Sequence, residues 1–209
     1  MTSGTSTGGL IAIMLGRLEM TIDECIDKYK TFMTVFTIGW FRKVTSTVPV
    51  GARDENAMLL DDREGACKVF VTAVRKDAVD NRTRVLLRSY QNPLELSEQP
   101  GIEVWRAARA TSAAPAYFDS VAAGDKELVD GGLGANNPLG WLWNEVLSVF
   151  GPTRPTNCFL SIGTGIAKNV GINSLLSLPE ALASAATNSE LTHILFRTLL
   201  DAYAQVLAP

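Results

Sequence analysis

The feature that most constrains this chain is Gly4-Thr5-Ser6-Thr7-Gly8, a G-x-S-x-G sequence followed at once by an apolar, helix-forming run. In this arrangement a serine is raised on a sharp strand-to-helix turn. Gly4 and Gly8 remove side chains where such a turn crowds its neighbours. A helix starting at Thr7 directs its free N–H groups and its positive dipole end toward the turn. The Thr7 N–H is then one half of an oxyanion hole. A buried strand has to lead into the turn, yet only five residues precede Ser6. Alone, the motif is a weak signal, because short glycine-containing matches arise by chance.

The chain has 209 residues, 46% of them hydrophobic, which is enough for one α/β domain with a core. Few linker-like stretches interrupt it, so a single domain over 1–209 is expected. The net charge of −3 argues against a nucleic-acid partner, since phosphate binding needs a basic surface. Cys25, Cys67 and Cys158 are too few, and odd in number, for a disulfide framework. They read as buried thiols in a reducing compartment. There is no basic n-region at the start and no apolar run of about 18 residues. The expectation is a soluble cytoplasmic protein, with peripheral contact to membranes.

Residues 7–18 read as a helix that is apolar nearly all round and therefore buried. Thr21-Ile22-Asp23-Glu24 has the form of a capping box. It opens a second helix with Ile22, Cys25, Ile26, Tyr29, Phe32, Met33 and Phe36 at helical spacing. Residues 39–65 are loop-like. Residues 67–74 and 83–90 are rich in β-branched and apolar side chains and predict two strands, with turn chemistry at 77–81. A helix is expected over 102–112, and a strand over 127–129 ending in Asp130-Gly131-Gly132. Asn137-Pro138 places a cap before a proline and opens a helix to about 150. A strand over 157–162 ends in Gly163-Thr164-Gly165, and two further helices, split near Asn188-Ser189, complete the chain. Strands alternating with helices predict a layered α/β fold with a largely parallel sheet.

A nucleophilic serine needs a base. The one histidine is His193, and the order Ser6, Asp130, His193 is that of an α/β-hydrolase triad. However, His193 lies in a helix whose apolar stripe is Leu191, Ile194, Leu195, Leu199, Ala202 and Val206. Glu190, His193, Arg197 and Asp201 share the opposite face, so His193 is expected to face solvent. The triad reading also requires several strands before the nucleophile. Asp130 follows a short strand and precedes two glycines that let the backbone turn tightly; taken alone it reads as a plain Asp-Gly turn. With an ordinary pKa of about 3.9 an aspartate is a poor base. Burial raises that pKa and makes it more useful.

Four blocks resemble the patatin-like phospholipase family, in the family's order and over roughly residues 4–165. They are Gly4-Thr5-Ser6-Thr7-Gly8-Gly9; Ala107-Ala108-Arg109-Ala110-Thr111-Ser112-Ala113-Ala114-Pro115-Ala116-Tyr117-Phe118; Asp130-Gly131-Gly132 through Asn136-Asn137-Pro138; and Ser161-Ile162-Gly163-Thr164-Gly165. Residues 166–209 form a helical C-terminal part outside the resemblance. The resemblance implies an α/β patatin-like fold and a lipid acyl hydrolase with a Ser–Asp dyad and neither cofactor nor catalytic metal. It makes Ser6 the nucleophile and Asp130 the general base. Thr7, Gly4 and Gly8 form the elbow and oxyanion site, and Gly131, Gly132 and Asn136 support the site loop. The implied substrate is a phospholipid or another acyl lipid, cleaved through an acyl-enzyme.

One departure from the family pattern stands out. The family carries a first strand and a glycine-rich loop of the D-G-G-G-x-R-G type that completes the oxyanion hole, and nothing before Gly4 matches them. The strand into the elbow is expected to be reduced to residues 1–3. The expectation is a truncated patatin-like chain. Two other readings remain: a catalytically silent patatin-like module that binds lipid or another protein, and a triad esterase using His193.

Lesser features are read more plainly. Trp40, Phe41, Arg42 and Lys43 could touch a lipid interface or pack as a partly buried pair beside solvated charges. Asp61-Asp62-Arg63-Glu64 lacks the spacing and glycine of an EF-hand and reads as a solvated turn. Arg109 is a candidate for hydrogen bonds to the site loops or for a structural salt bridge. Asn136 and Asn137 are expected to order the loop after Asp130 and cap the next helix.

Overall fold

The run Val-Phe-Val-Thr-Ala-Val-Arg, β-branched and apolar, forms strand β2 (Val69–Arg75), whose first six residues are all buried. It organises the sheet in the computed structural model, which describes residues 1–35, 54, 56–77, 84–95, 101–115, 117–165 and 189–207. The other strands are β1 (Thr2–Thr5), β3 (Arg84–Arg88), β4 (Val121–Ala123) and β5 (Lys126–Asp130). The helices are α1 (Thr7–Ala12), α2 (Ile22–Val35), α3 (Val104–Thr111), α4 (Gly132–Ala135), α5 (Leu139–Phe150) and α6 (Glu190–Leu207). The result is the layered α/β class expected, with helices against a sheet of five strands among the described residues; the β1–β2 pairing is parallel and the other three pairings are antiparallel. β4, not foreseen, forms a hairpin with β5.

The register of β2 decides where the site lies. β1 pairs with it in parallel, Thr2 opposite Val69 through Thr5 opposite Thr72. β5 pairs with it antiparallel, Asp130 opposite Ala73 and Leu128 opposite Arg75. β3 runs antiparallel along Phe70 to Val74. A strand has two hydrogen-bonding edges. Since β3 spans both the Thr72 and Ala73 positions, β1 and β5 must share the other edge. They therefore run toward each other and meet end to end at the Thr72–Ala73 step. Thr5, which precedes Ser6, is the last residue of β1; Asp130 is the last of β5. The strand into the elbow is thus longer than the expected three residues. Four residues suffice because β2 supplies a fully buried ladder.

The core lies between this sheet and α1, α3 and the start of α2. It includes Leu10, Ile13, Met14, Leu18, Val69, Val71, Leu87, Val104, Ala107 and Leu128. The first helix is not uniform: after Ala12 it widens into a π-helical segment, Ile13–Arg17, in which the Leu18 N–H donates to the Ile13 carbonyl at 2.9 Å. Within it Arg17, overlooked in an apolar reading, is buried. It donates to the Leu59 and Met58 carbonyls at 2.9 and 2.8 Å and pairs with Asp61 at 3.4 Å. Asp61 is accordingly no solvated turn residue: Arg17 and Arg63 hold it, the latter through a 2.8 Å ion pair. The capping box forms as expected, the Thr21 N–H donating to Glu24 at 2.8 Å. On α2, Cys25 is buried, whereas Ile22 and Ile26 face outward.

Three expectations need correction. Residues 157–162 form no strand; Leu160 and Ile162 are exposed, and Phe159 instead joins Trp143 and Phe196 in an aromatic cluster with centroids 5.4 and 5.8 Å away. Side-chain packing anchors the segment where ladder pairing does not. Next, the apolar stripe of α6 is not buried: Leu191, Ile194, Leu195 and Leu199 are exposed, and Phe196 faces the cluster. Finally, only Cys25 is a buried thiol; Cys67 and Cys158 are free and exposed. Residues 40–43, 78–83 and 166–188, on which the aromatic-basic cluster, part of the hairpin turn and the penultimate helix fall, lie outside the described residues. Among the described residues no helix is long and apolar enough to cross a membrane.

Candidate active site

Ser6 stands between β1 and α1 with φ 55° and ψ −128°. A non-glycine residue at such angles costs about 1–3 kcal/mol and persists only where its surroundings over-determine it. Here they do. The turn closes so tightly that a Cβ on Gly4 would meet the Gly8 carbonyl and lie 2.6 Å from the Gly9 nitrogen. The Ser6 N–H donates to Thr111 Oγ1 at 3.0 Å, and the Ser6 carbonyl accepts from Gly9 and Leu10 at 2.9 and 3.2 Å. The second glycine to which crowding matters is Gly9: a Cβ there would lie 2.7 Å from the Thr111 side chain. Gly8, expected to relieve crowding, has nothing among the described residues within 4 Å of such a position and is itself exposed.

Asp130 is 5% exposed. Its Oδ2 accepts the Ser6 hydroxyl at 2.7 Å, and its Oδ1 accepts the Gly132 N–H at 2.7 Å. Its own N–H donates to the Ala113 carbonyl at 3.0 Å. One short segment at the C-terminal end of α3 thus takes the backbone N–H of both partners, Ser6 through Thr111 and Asp130 through Ala113. Burial pushes the Asp130 carboxyl above the usual carboxylate range, outweighing the hydrogen bonds from Gly132 and Ser6 that stabilise its ionised form. A partly exposed serine hydroxyl bonded to a carboxylate of raised basicity is chemically able to hand its proton to that carboxylate and attack a carbonyl carbon.

The supporting residues fall as follows. Gly131 presses against Thr72, where a Cβ would lie 2.5 Å from the carbonyl oxygen. Gly132 donates to Asp130, and a Cβ on it would lie 3.7 Å from the Asn136 carboxamide oxygen, so Asn136 borders the loop while remaining exposed. Asn137 accepts the Leu139 N–H at 3.1 Å, capping α5 from one residue before Pro138. Thr7 is the first residue of α1, where N–H groups have no intrahelical acceptor. Among the described residues Arg109 makes neither expected contact: its guanidinium stacks over Phe118 at 4.2 Å, and its Nε and Nη1 are buried with no hydrogen-bond acceptor among those residues. His193 is exposed on α6. The roles of Thr111, Ala113, Thr5 and Thr72 were not visible as chemistry. Thr111 and Ala113 lie inside a recognisable block, but a threonine or alanine among small residues carries no catalytic signature.

Comparison with known proteins identifies the family. The family model for patatin-like phospholipases matches residues 1–143. Calcium-independent phospholipase A2-gamma of Rattus norvegicus is 30% identical over 95% of this chain and 29% of its own length. The Mus musculus protein of the same name is 31% identical over 94% of this chain and 28% of its own. Phospholipase A I of Arabidopsis thaliana is 25% identical over 78% of this chain and 18% of its own. The chain spans less than a third of the length of these curated relatives. With a family match over more than half its length, the chain belongs to the patatin-like phospholipase family.

Proposed function

We propose that this chain is a lipid acyl hydrolase, of phospholipase A or acylglycerol esterase type, that works through a Ser6–Asp130 dyad. The observation that carries the reading is the 2.7 Å hydrogen bond from the Ser6 hydroxyl to Asp130 Oδ2, made by a serine at positive φ on a strand-to-helix turn. As Ser6 Oγ attacks the ester carbonyl, its proton passes to Asp130. Negative charge develops on the carbonyl oxygen, and the Thr7 N–H at the start of α1 faces it. Asp130 returns the proton to the departing alcohol, which leaves an acyl-Ser6. A water molecule, deprotonated by Asp130, then releases the fatty acid and restores the serine. No metal takes part in these steps. The free cysteines fit a reducing cytoplasmic compartment, with the substrate met at a membrane surface.

Hydrolysis of a short p-nitrophenyl ester by this chain, beside Ser6→Ala, Asp130→Asn and His193→Ala, tests the reading. Turnover should vanish in the first two and persist in the third. Loss on His193→Ala would move the reading to a triad. A folded chain that binds lipid vesicles but hydrolyses neither ester nor lipid would make it a silent lipid-binding module.

A further inference from the structure

Behind the dyad lies a pair of buried hydroxyls that its chemistry does not use. Thr5 is 8% exposed and Thr72 is fully buried, in register on neighbouring strands. Thr5 Oγ1 lies 2.6 Å from the Ala135 carbonyl and 2.7 Å from Thr72 Oγ1. A threonine has one hydroxyl proton, and a carbonyl only accepts. The Thr5 proton is therefore committed to Ala135, and Thr72 must donate to Thr5.

This order ties three pieces of chain together. Thr5 is bonded covalently to Ser6. Ala135 ends α4, the short helix that begins two residues after Asp130. Thr72 sits where β1 and β5 meet, and its backbone oxygen receives the flat face of Gly131. The two strand ends make no ladder with each other, so their separation rests on contacts of this kind.

We infer that Thr72, acting through Thr5 and the Ala135 carbonyl, is a positioning residue that sets the distance between Ser6 and Asp130. The inference rests on the dyad reading given above. It touches no reacting atom; it holds the two strand ends in register so that the serine–carboxylate hydrogen bond stays short. A displacement of about 1 Å in such a pair costs about 100-fold in rate.

The test compares Thr72→Val, which keeps the shape and removes the hydroxyl, with Thr72→Ser, which keeps the hydroxyl. Two readouts are needed: kcat and KM on a short p-nitrophenyl ester, and titration of the Asp130 carboxyl by carbon NMR. In Thr72→Val kcat should fall about 10- to 100-fold with little change in KM. The Asp130 titration should move upward, because the Ser6 bond that favours its ionised form weakens. Thr72→Ser should recover most of both. Thr5→Val, at a slightly less enclosed position, makes the same comparison should Thr72→Val fail to fold. A variant that only melts earlier, with kcat and the Asp130 titration unmoved, would overturn the inference. So would a fall in kcat without a change in that titration. Absence of turnover in the parent chain would defeat the hydrolase reading instead, and the Asp130 titration alone would then decide the positioning role.

Discussion

Ser6 and Asp130 face each other across the junction of two strands that run toward one another on one edge of β2, their side chains joined by a 2.7 Å hydrogen bond. The sheet brings the pair to one point, and the segment Thr111–Ala113 holds both backbones there. This arrangement sets the serine hydroxyl on a tight turn clamped between β1 and α1 and the carboxylate at the end of β5, which keeps their separation small.

Removing either partner should abolish turnover without unfolding the chain. Ser6→Ala and Asp130→Asn are each expected to lower kcat by about 1,000-fold or more, as when one member of a catalytic unit is deleted. Ester hydrolysis measured beside circular dichroism spectra separates loss of chemistry from loss of fold.

The ionisation of Asp130 predicts two opposite pH trends. As the proposed base it must be ionised, so turnover should rise with pH through a midpoint above the ordinary value of about 3.9. Burial holds the native carboxyl above its unfolded value, so the native chain binds that proton more tightly. The resulting stability is present below the unfolded pKa and is lost as pH rises through the native one. Asp130→Asn should therefore melt higher than the parent at neutral pH, with the difference shrinking on acidification. Thermal melts at pH 7 and pH 4 check this; equal melting temperatures at pH 7 would contradict it.

The two glycines of the motif should behave differently. Gly4→Ala forces a Cβ onto the Gly8 backbone, and overpacking of this kind costs about 1–3 kcal/mol. Gly8→Ala meets nothing and lies in the first turn of α1, where replacing glycine by alanine stabilises by about 0.5–1 kcal/mol. Urea unfolding of the two variants should show opposite signs.

Away from the site, Glu145 on α5 is buried and receives Arg88 at 2.7 and 2.8 Å, Tyr90 at 2.7 Å and Asn92 at 3.1 Å. Burial opposes its ionisation, but these hydrogen bonds outweigh it and hold the carboxyl below its ordinary range. Its stabilisation is therefore present above the unfolded value of about 4.3 and lost as pH falls through the native one. Arg88→Met, which strands the buried carboxylate, should cost about 3–5 kcal/mol. Arg88→Met combined with Glu145→Met should recover part of that in denaturant unfolding.

Much of this was legible in the residues themselves. The elbow, the Thr21–Glu24 capping box, the strands β2 and β3 and the Asp130-Gly131-Gly132 turn depend on groups a few positions apart, and their local chemistry is written in order along the chain. The strand expected over 157–162 failed for the opposite reason. Its composition suits a strand, but a strand exists only where another backbone offers a ladder, and Phe159 found an aromatic cluster instead. Likewise the stripe on α6 has helical spacing, yet spacing does not say which neighbour covers it.

By itself, then, the sequence determined an α/β fold of patatin-like type, a serine at a strand-to-helix turn and an aspartate at a tight turn 124 positions later. Only the tertiary structure decided that the two touch, that burial pushes the Asp130 carboxyl above its usual range, and that Thr5, Thr72, Thr111 and Ala113 come to surround them. Those facts arise from β1 and β5 sharing an edge of β2. Such long-range pairing is selected by the burial of the whole sheet, and no window of neighbouring residues encodes it.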